Sequence, residues 1–442
     1  MLRNAAGLVE AFHVMGRALA HRDYRLFFAG QCISQIGTWI QQMTVVWLAY
    51  RITEDAFLVG VVGFCAQFPT FVLSPLAGVC TDRVDRRRLL LATQALAMVQ
   101  AFTLAALSLT GLLNIGSLMV LVAVLGSINA FDMTASQAFV KDLVRQRADL
   151  GSAIALNSAI INSARLIGPA VATVTIHFFG EGGCFLLNGV SFLAVLIALS
   201  FISPTAAPAA VAHRPPLAAS IREGMSYVAR NGPIRDLLIL VAGLALFGMP
   251  YSLLPTFAAE QFHGGADALG VLMGAGGLGA LFATLVAASR RSIIGAERGL
   301  VLSGLVLAAA LALTGATDLL WFATLCRLVA GYSVVHQMTT ANTLIQTLVA
   351  DDQRGRVMSL YTMALLGSLP LGNLLAGGLA GAIGVEETFA LSGVCCLAGA
   401  AWFGLRLPSF RRESQPVYER LQVSHSEAAV PVEVGVDATH HG

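Results

Sequence analysis

Long uncharged stretches dominate this sequence, and they decide what the chain can fold into. Its 442 residues include only 27 basic and 25 acidic side chains, 12% in all, whereas a soluble protein carries about 25%. A helix that crosses a lipid bilayer needs about 20 apolar residues. Uncharged stretches of about this length or longer occupy residues 26–50, 56–81, 89–131, 182–213, 237–259, 268–289, 299–317, 357–385 and 388–405.

The composition leaves too little polar surface to cover a soluble protein of this size. Hydrophobic residues make up 56% of the chain, which also contains 44 glycines. This balance excludes an ordinary cytosolic enzyme and an intrinsically disordered chain. A formal net charge of +2 provides no basic surface for nucleic acid. We therefore expect a lipid bilayer as the surroundings and no nucleic-acid partner.

The uncharged stretches predict an all-α membrane protein with twelve transmembrane helices. The stretch 89–131 is long enough for two spans and breaks at Gly111–Gly116, and two further spans each contain one arginine. Segments of this length are helices, since barrel strands have about ten residues. Spans 1 to 12 are predicted at about 25–50, 57–80, 89–109, 116–138, 150–176, 183–203, 236–258, 268–289, 299–316, 319–340, 357–383 and 388–406.

The arginines predict the orientation of the chain. With twelve spans, both termini lie on one side of the membrane. Arg51 is the only basic residue in the loops of the opposite side, and Arg165 and Arg327 lie within spans. All other basic residues fall on the side of the termini, which the positive-inside rule assigns to the cytoplasm. We expect a multi-pass protein of the inner membrane with both termini cytoplasmic.

The chain divides into two six-span halves, which also resemble each other weakly. Phe139–Val144, before span 5, matches Leu344–Val349, before span 11, at an offset of 205 residues. A parallel repeat of this kind is typical of transporters with a site between the halves near the midplane. The predicted regions are a cytoplasmic segment 1–22, the halves 23–203 and 236–406, a cytoplasmic loop 204–235 with an amphipathic helix at 217–231, and a disordered cytoplasmic tail 407–442.

The loop after span 2 carries the most specific motif. It reads Gly78-Val-Cys-Thr-Asp82-Arg83-Val-Asp85-Arg86-Arg87-Arg88. This segment resembles the G-x-x-x-D-R-x-x-R-R-R/K signature of the major facilitator superfamily, in the loop where that family carries it. The equivalent loop of the second half, Ser289-Arg290-Arg291, is degenerate.

Two further segments resemble branches of the same superfamily. Arg165-Leu-Ile-Gly168-Pro169 in span 5 looks like the Gly-Pro motif of facilitator antiporters, with Ala172-Thr173 in place of the usual glycine pair. The approach to span 11, Asp351-Asp352-Gln-Arg354-Gly355-Arg356, resembles the branch that includes enterobactin and macrolide exporters. The resemblance covers about residues 22–406 and implies the major facilitator fold.

The resemblance also implies a cytoplasmic gate. In the family, the aspartate at the position of Asp82 docks against the start of span 11 and holds the gate closed. An acid is stabilised at a helix N-terminus. The alternative is that the loop charges only set the topology. The gating residues implied by the three motifs are Gly78, Asp82, Arg83, Arg86, Arg87, Gly168, Pro169, Arg354, Gly355 and Arg356.

Three charged residues within spans are candidates for function, because charge inside a membrane is costly. Asp132 in span 4 suits a proton carrier. Since it lies about 24 Å along the span, at about 1.5 Å per residue, it could instead cap a helix or pair with a loop arginine. Arg165 and Arg327 both fall near mid-depth, one in each half. They could attract an anionic substrate or bond to backbone carbonyls.

Span 1 carries a polar stripe that predicts a cavity wall. Gln31, Gln35, Trp39 and Gln42 follow one another at helical spacing. Buried amides need partners, so these side chains should contact substrate or neighbouring helices. In span 7, Pro250, Tyr251 and Pro255 predict a broken helix with an aromatic residue near a gate.

Two weaker features complete the candidate residues. His336 lies nine residues after Arg327, on the opposite face of span 10, and is either a packing histidine or a proton relay. Glycines in spans 8 and 11 should allow close helix contact.

Signatures of enzymes are missing. Lys141 is the only lysine, so no GxxxxGK[ST] phosphate-binding loop is possible, and the seven cysteines have no metal-binding spacing. We expect no catalytic residues, metal or cofactor, and a monomer. The predicted function is proton-coupled export of a small polar or anionic compound, such as a siderophore or drug. The alternatives are a lysophospholipid flippase, an uptake symporter, or a non-transporting receptor or scaffold.

Overall fold

The computed structural model describes residues 16–144, 146, 149–202, 217–289 and 295–428. The proline-containing part of the central loop, Arg290, Arg291 and the end of the predicted tail lie outside the described residues. Within them, the chain forms helices joined by short turns. Spans 1 to 4 are Arg22–Thr53, Ala56–Arg83, Arg86–Leu109 and Ile115–Leu143.

Spans 5 and 6 form one long helical segment, Leu150–Phe201, interrupted at Gly180. Gly180 has φ 67° and ψ −175°, values that a residue with a side chain rarely adopts, so the chain reverses there. The central loop contains the helix Leu217–Arg230, which we call the loop helix. Its position agrees with the amphipathic helix expected at 217–231.

The second half repeats the pattern, except that its first span is broken. Span 7 consists of Gly232–Phe247, a 3₁₀ turn at Tyr251–Leu253 and Leu254–Phe262, with the break at the predicted prolines. Spans 8 to 12 are Ala266–Ser289, Ala296–Gly315, Leu320–Leu348, Arg354–Ile383 and Val385–Ala428.

Local sequence explains where several helices begin. Asp55 accepts hydrogen bonds from the backbone N–H groups of Phe57 (2.7 Å) and Leu58 (3.3 Å) at the start of span 2. Asn114 and Ser117 form a capping box at the start of span 4. These short polar side chains satisfy backbone donors that a helix end leaves without partners.

Nine of the described helices are long and apolar enough to cross a membrane, and one of these contains spans 5 and 6. Spans 1 and 10 have sufficient length but carry several polar side chains, which lowers their hydropathy. In span 10 these include the buried residues Arg327, His336 and Gln337. The two least apolar spans therefore both carry candidate functional residues.

The last helix extends further than the sequence predicts. Residues 407–428 continue span 12 as a helix, whereas a disordered tail was expected to begin at 407. Phe410 and Tyr418 are buried, and the Arg411 Nε donates to Glu297 Oε1 of span 9 at 2.9 Å. Packing against the second half thus holds this segment helical despite Pro408 and Pro416.

The hydrophobic clusters show how the two halves meet. We call the side with the loop helix and residue 16 the terminal side, and the other the far side. On the terminal side, one cluster belongs to the first half and includes Phe27, Leu90 and Phe139. Another belongs to the second half and includes Leu237 and Leu344.

A third cluster lies toward the far side and contains residues of both halves. Ile40 and Met43 of span 1 lie in it together with Leu254, Phe257 and Leu269 of spans 7 and 8. We call it the far-side cluster. The halves therefore share a core on the far side and have separate cores on the terminal side.

Contacts between spans 2 and 11 follow the same gradient. A Cβ atom added at Gly60 would lie 2.6 Å from the Asn373 carbonyl oxygen and 2.9 Å from the Gly377 Cα. At the other ends of these helices, Gly78 and Gly355 would meet no described atom within 4 Å. Spans 2 and 11 thus pack closely toward the far side and leave open space around Gly78 and Gly355 on the terminal side.

Candidate functional site

Two arginines from opposite halves meet at one tyrosine in the middle of the molecule. The Arg165 Cζ lies 5.8 Å from the centroid of the Tyr251 ring, and the Arg327 Cζ lies 5.6 Å from the same centroid. The Arg165 Cζ is also 4.9 Å from the Trp39 ring. These are cation–π distances. We call Trp39, Arg165, Tyr251 and Arg327 the arginine–tyrosine cluster.

Glycines of span 8 bring the two arginines together. A Cβ atom at Gly277 would lie 2.7 Å from the Arg165 carbonyl oxygen, and one at Gly276 would lie 3.7 Å from the Arg327 Nη2. Span 8 therefore packs against spans 5 and 10 at the depth of the cluster. The glycines predicted to allow close helix contact do so here.

The break in span 7 places Tyr251. The helix ends at Phe247, and the chain turns through Pro250 into the 3₁₀ turn that starts at Tyr251. Proline has no N–H and cannot continue a regular helix. A continuous helix would place this side chain on a fixed helical face, whereas the turn lets the ring reach both arginines.

The cluster carries positive charge without a matching acid among the described residues. Arg327 is 3% exposed, and the buried Nε atoms of Arg165 and Arg327 have no hydrogen-bond partner in the part of the chain that the structure describes. Within the described chain, no carboxylate oxygen lies within 4.0 Å of either guanidinium. Because desolvated charge is costly without a partner, this arrangement favours binding of an anion.

The polar stripe of span 1 divides between two environments. Trp39 belongs to the cluster, Gln35 is half-buried, and Gln42 is exposed. Gln31 is only 5% exposed and lies about 12 Å further toward the terminal side, at about 1.5 Å per residue. The part of the stripe nearest the arginines is thus open, and its other end is packed within the protein.

A chain of buried amides beside this stripe was missed by the sequence analysis. Asn188 Nδ2 donates to Gln41 Oε1 at 2.7 Å, and Gln41 Nε2 donates to Gln100 Oε1 at 3.2 Å. Gln100 Nε2 in turn donates to the Leu121 carbonyl at 3.1 Å. The chain connects spans 6, 1, 3 and 4 and fixes the rotation of span 1. The sequence holds one signal for this chain of amides, namely that Gln41 lies directly beside Gln42. Gln41 does not fall on the helical spacing of the stripe, so the spacing alone does not predict its role.

Asp132 lies apart from the arginine–tyrosine cluster. Its Oδ1 accepts hydrogen bonds from Thr93 Oγ1 at 2.7 Å and from Gln94 Nε2 at 2.8 Å, both in span 3. The carboxylate therefore faces span 3 within the first half. This geometry is compatible with Asp132 as a proton carrier. Its two described partners are a hydroxyl and an amide, and neither is a loop arginine.

His336 packs along span 10. Its ring stacks on Tyr332 with centroids 5.8 Å apart and an interplanar angle of 17°, and the residue is 3% exposed. Arg327 lies on the opposite face of the same helix, as its spacing predicts. The described contacts of His336 match a packing residue better than a member of the cluster.

The arginines after span 2 bind their own half. Arg86 Nη1 donates to both carboxylate oxygens of Asp142 at 2.6 and 2.7 Å, and Arg87 Nε donates to the Leu199 carbonyl at 2.7 Å. They tie the start of span 3 to the ends of spans 4 and 6. Asp82 is half-buried in the last turn of span 2, and Arg83 beside it is exposed.

The start of span 11 is held by the loop helix. Arg356 Nη2 pairs with Glu223 at 2.8 Å, and the Ala350 N–H donates to the Tyr227 hydroxyl at 3.3 Å. Arg354 pairs with Asp351 at 2.6 Å. The N-cap residue Gln353 makes no side-chain capping bond, so the helix start lacks a side-chain acceptor.

Gly168 and Pro169 lie where span 5 crosses span 1. Both are buried, and a Cβ atom at Gly168 would press on Trp39 Cβ and lie 3.2 Å from the Trp39 carbonyl carbon. The Gly-Pro motif thus adjoins the cluster directly, because Trp39 is one of its members.

Known proteins match nearly the whole chain. It is 28% identical to the staphyloferrin A transporter of Staphylococcus aureus, with 84% of this chain and 92% of that protein covered. It is 21% identical to macrolide efflux protein A of Streptococcus pyogenes, with coverages of 84% and 93%. A crystal structure of a bacterial homologue of the human lysosomal transporter Spinster has the same fold, with a TM-score of 0.67 at 13% identity, covering 88% of this chain and 98% of that one.

The family assignment rests on a match along the chain rather than on one motif. The model of the transmembrane secretion effector family matches residues 17–436. This range includes both halves, the loop after span 2 and every member of the arginine–tyrosine cluster. The chain therefore belongs to the transmembrane secretion effectors, a family of membrane transporters of small molecules within the major facilitator superfamily.

Proposed function

We propose that the protein exports a small anionic organic compound across the inner membrane by proton-coupled alternating access. The observation that carries this proposal is the arginine–tyrosine cluster, to which each half contributes a cation, the half-buried Arg165 and the buried Arg327. A site shared by two halves near the midplane is where transporters bind their substrates. The similarity to a staphyloferrin A transporter and to a macrolide efflux protein supports export of small organic compounds.

The terminal side is taken to face the cytoplasm. Its loops carry nearly all the arginines, which favours this orientation by the positive-inside rule. The opening between the halves then faces inward, where an exporter collects its substrate. The similar Spinster homologue was crystallised in an inward-facing and unoccupied conformation.

Closure of the cytoplasmic side is assigned to Asp82 and span 11. An aspartate in the last turn of its own helix is unfavourably placed with respect to that helix dipole. The start of span 11 lacks a side-chain cap, so it offers N–H donors to an acid. Movement of the halves toward each other would bring these groups together and close the gate, with Gly78 and Gly355 permitting close approach.

Coupling to protons is assigned to Asp132. Its carboxylate holds Thr93 and Gln94 by hydrogen bonds to a charged acceptor. Protonation would weaken both bonds, because charge-assisted hydrogen bonds are roughly twice as strong as neutral ones. The gradient would thereby change the contact between spans 3 and 4 during the cycle.

A flux assay with the purified chain in proteoliposomes tests the proposal. Radiolabelled glutarate and its neutral diamide, glutaramide, are compared under an imposed pH gradient, in wild type and Arg327→Gln. We expect gradient-driven movement of glutarate by wild type only, with glutaramide not transported by either. Equal movement of both compounds by both proteins would contradict an anion site, and an absence of any flux would favour the receptor or scaffold alternative.

A further inference from the structure

We propose that the transported compound presents two negative charges to the arginine–tyrosine cluster, one to each guanidinium. The inference rests on the proposed function, namely that this cluster is the anion site. It goes further because it fixes the number of charges and the way in which they are held. The ligand class is an organic dianion, such as a dicarboxylate or a larger acid with two free carboxylates.

The charge balance of the cluster carries this step. Arg165 and Arg327 place two cations against Tyr251, and within the described residues neither has a carboxylate partner. Asp132 is bonded to span 3 and does not supply one. A neutral ligand would leave two uncompensated charges in the site, and a monoanion would leave one. Only a dianion leaves none when the site is closed from water, where uncompensated charge is most costly.

The origin of the two cations supports two separate binding groups. Arg165 belongs to span 5 of the first half, and Arg327 belongs to span 10 of the second. The terminal-side cores of the halves are separate, so the halves can move relative to each other there. A ligand with an acid on each arginine would connect the halves and offset the repulsion between the two guanidiniums. An empty site would retain that repulsion.

The aromatic members make the site suitable for an organic body. Trp39 and Tyr251 present ring surfaces to the guanidiniums at 4.9 to 5.8 Å. Stacked guanidiniums keep their N–H edges available, and these edges bind carboxylates in bidentate geometry. The rings would contact the carbon chain between the two carboxylates.

Binding of matched acids to the full chain in lipid nanodiscs tests the valence. Glutarate and valerate have the same number of carbons, and at neutral pH they carry two charges and one. Affinities are measured by calorimetry in wild type, Arg327→Gln and Arg327→Lys. We expect wild type to bind glutarate at least about tenfold more tightly than valerate, and Arg327→Gln to lose that preference, because it leaves a single cation. Arg327→Lys keeps the charge and should keep the preference.

The outcomes separate this inference from the proposed function. The two-charge assignment would be overturned if Arg327→Gln lost affinity for glutarate and valerate equally, or if wild type showed no preference for glutarate. Either result would leave an anion site in place. Binding of neither acid by wild type would contradict the anion site itself. Arg165→Gln is the matching variant in the other half and should lose the same preference. Monodisperse elution of each variant excludes misfolding as the cause.

Discussion

At the scale of single residues, the close contact between Gly168 and Trp39 is the most sensitive feature of the site. Span 5 crosses span 1 at this glycine, and there is no room for a side chain. The neighbouring atoms are a backbone carbon and the first side-chain carbon of Trp39, neither of which can turn away. Any added volume must therefore move a helix.

We predict that Gly168→Ala reduces transport by about tenfold or more. Overpacking of this kind costs about 1–3 kcal/mol, and here the displaced group is a cluster member that stacks on Arg165. Initial flux in proteoliposomes measures the effect. Gly243→Ala is the control, because a Cβ atom there meets no described atom within 4 Å. Equal rates for the two variants would contradict the proposed importance of this contact.

The sequence marks Arg165 and Arg327 as candidates but does not show how they meet. Counting residues along spans 5 and 10 placed Arg165 and Arg327 near the same depth, and the structure agrees. Their joint contact with Tyr251 depends on the rotation of three helices and on the turn after Phe247, which no local pattern specifies. The buried chain through Gln41 was missed for the same reason, since its partners lie on other spans.

At the scale of elements, the loop helix binds the start of span 11 directly. Glu223 pairs with Arg356, and the Tyr227 hydroxyl accepts from the Ala350 N–H. A Cβ atom added at Gly224 would lie 3.3 Å from Leu360 Cδ1, so the two helices are in close contact here. These contacts hold the turn between spans 10 and 11 in the open arrangement. The proposed closure, in which Asp82 approaches span 11, would either keep these contacts or break them.

We predict that Glu223→Arg lowers transport roughly threefold and that Arg356→Glu in the same chain restores it. The pair is partly exposed, so its loss should cost only about 0.5–1 kcal/mol. Flux measurements on the two single variants and the double variant give the interaction directly. If the double variant is slowed by the product of the two single-variant fold reductions, the two side chains act independently, and the ion pair does not position span 11.

The sequence predicts the ends of helices best where charged residues or prolines mark them. The break in span 7 follows from Pro250 and Pro255, and the loop helix follows from its apolar face. The extension of span 12 was not predicted, because Pro408, Pro416 and the polar composition favour a loop. Its stability comes from Glu297 and buried aromatics of the second half, which are distant in sequence.

At the scale of the whole molecule, the two halves share a core on one side of the site only. This asymmetry belongs to one conformation of the chain. Two similar halves could also adopt a second conformation, in which the opposite side is open. We propose that Asp82 distinguishes the two conformations, because its proposed partner, the start of span 11, belongs to the other half.

We predict that Asp82→Asn slows transport about fivefold without changing folding. A carboxylate at a helix N-terminus contributes up to about 1 kcal/mol when exposed, and asparagine retains the shape but not the charge. Flux and thermal stability are measured together. Asp85→Asn is the control, because Asp85 caps span 3 within its own half and asparagine caps equally well. A wild-type rate for Asp82→Asn would contradict the gate.

The family could be identified from the sequence because its motifs are local, above all the loop from Gly78 to Arg88. The conformation could not, since one sequence must encode every state of the cycle. Which side is open depends on small differences between contacts such as Gly60 with Gly377 and the separated ends at Gly78 and Gly355. These differences are distributed over both halves and have no signature in composition or spacing.

The far-side cluster also has a consequence for inhibition. In the proposed orientation, with the terminal side in the cytoplasm, Ile40, Met43, Leu254 and Phe257 lie in an apolar cluster between the opposite side of the membrane and the two arginines. In this conformation the described residues would leave an impermeant acid on that side of the membrane no route to the site. A blocker aimed at the guanidiniums would have to reach the cytosol first, for example as a neutral ester that intracellular hydrolysis converts to the dianion.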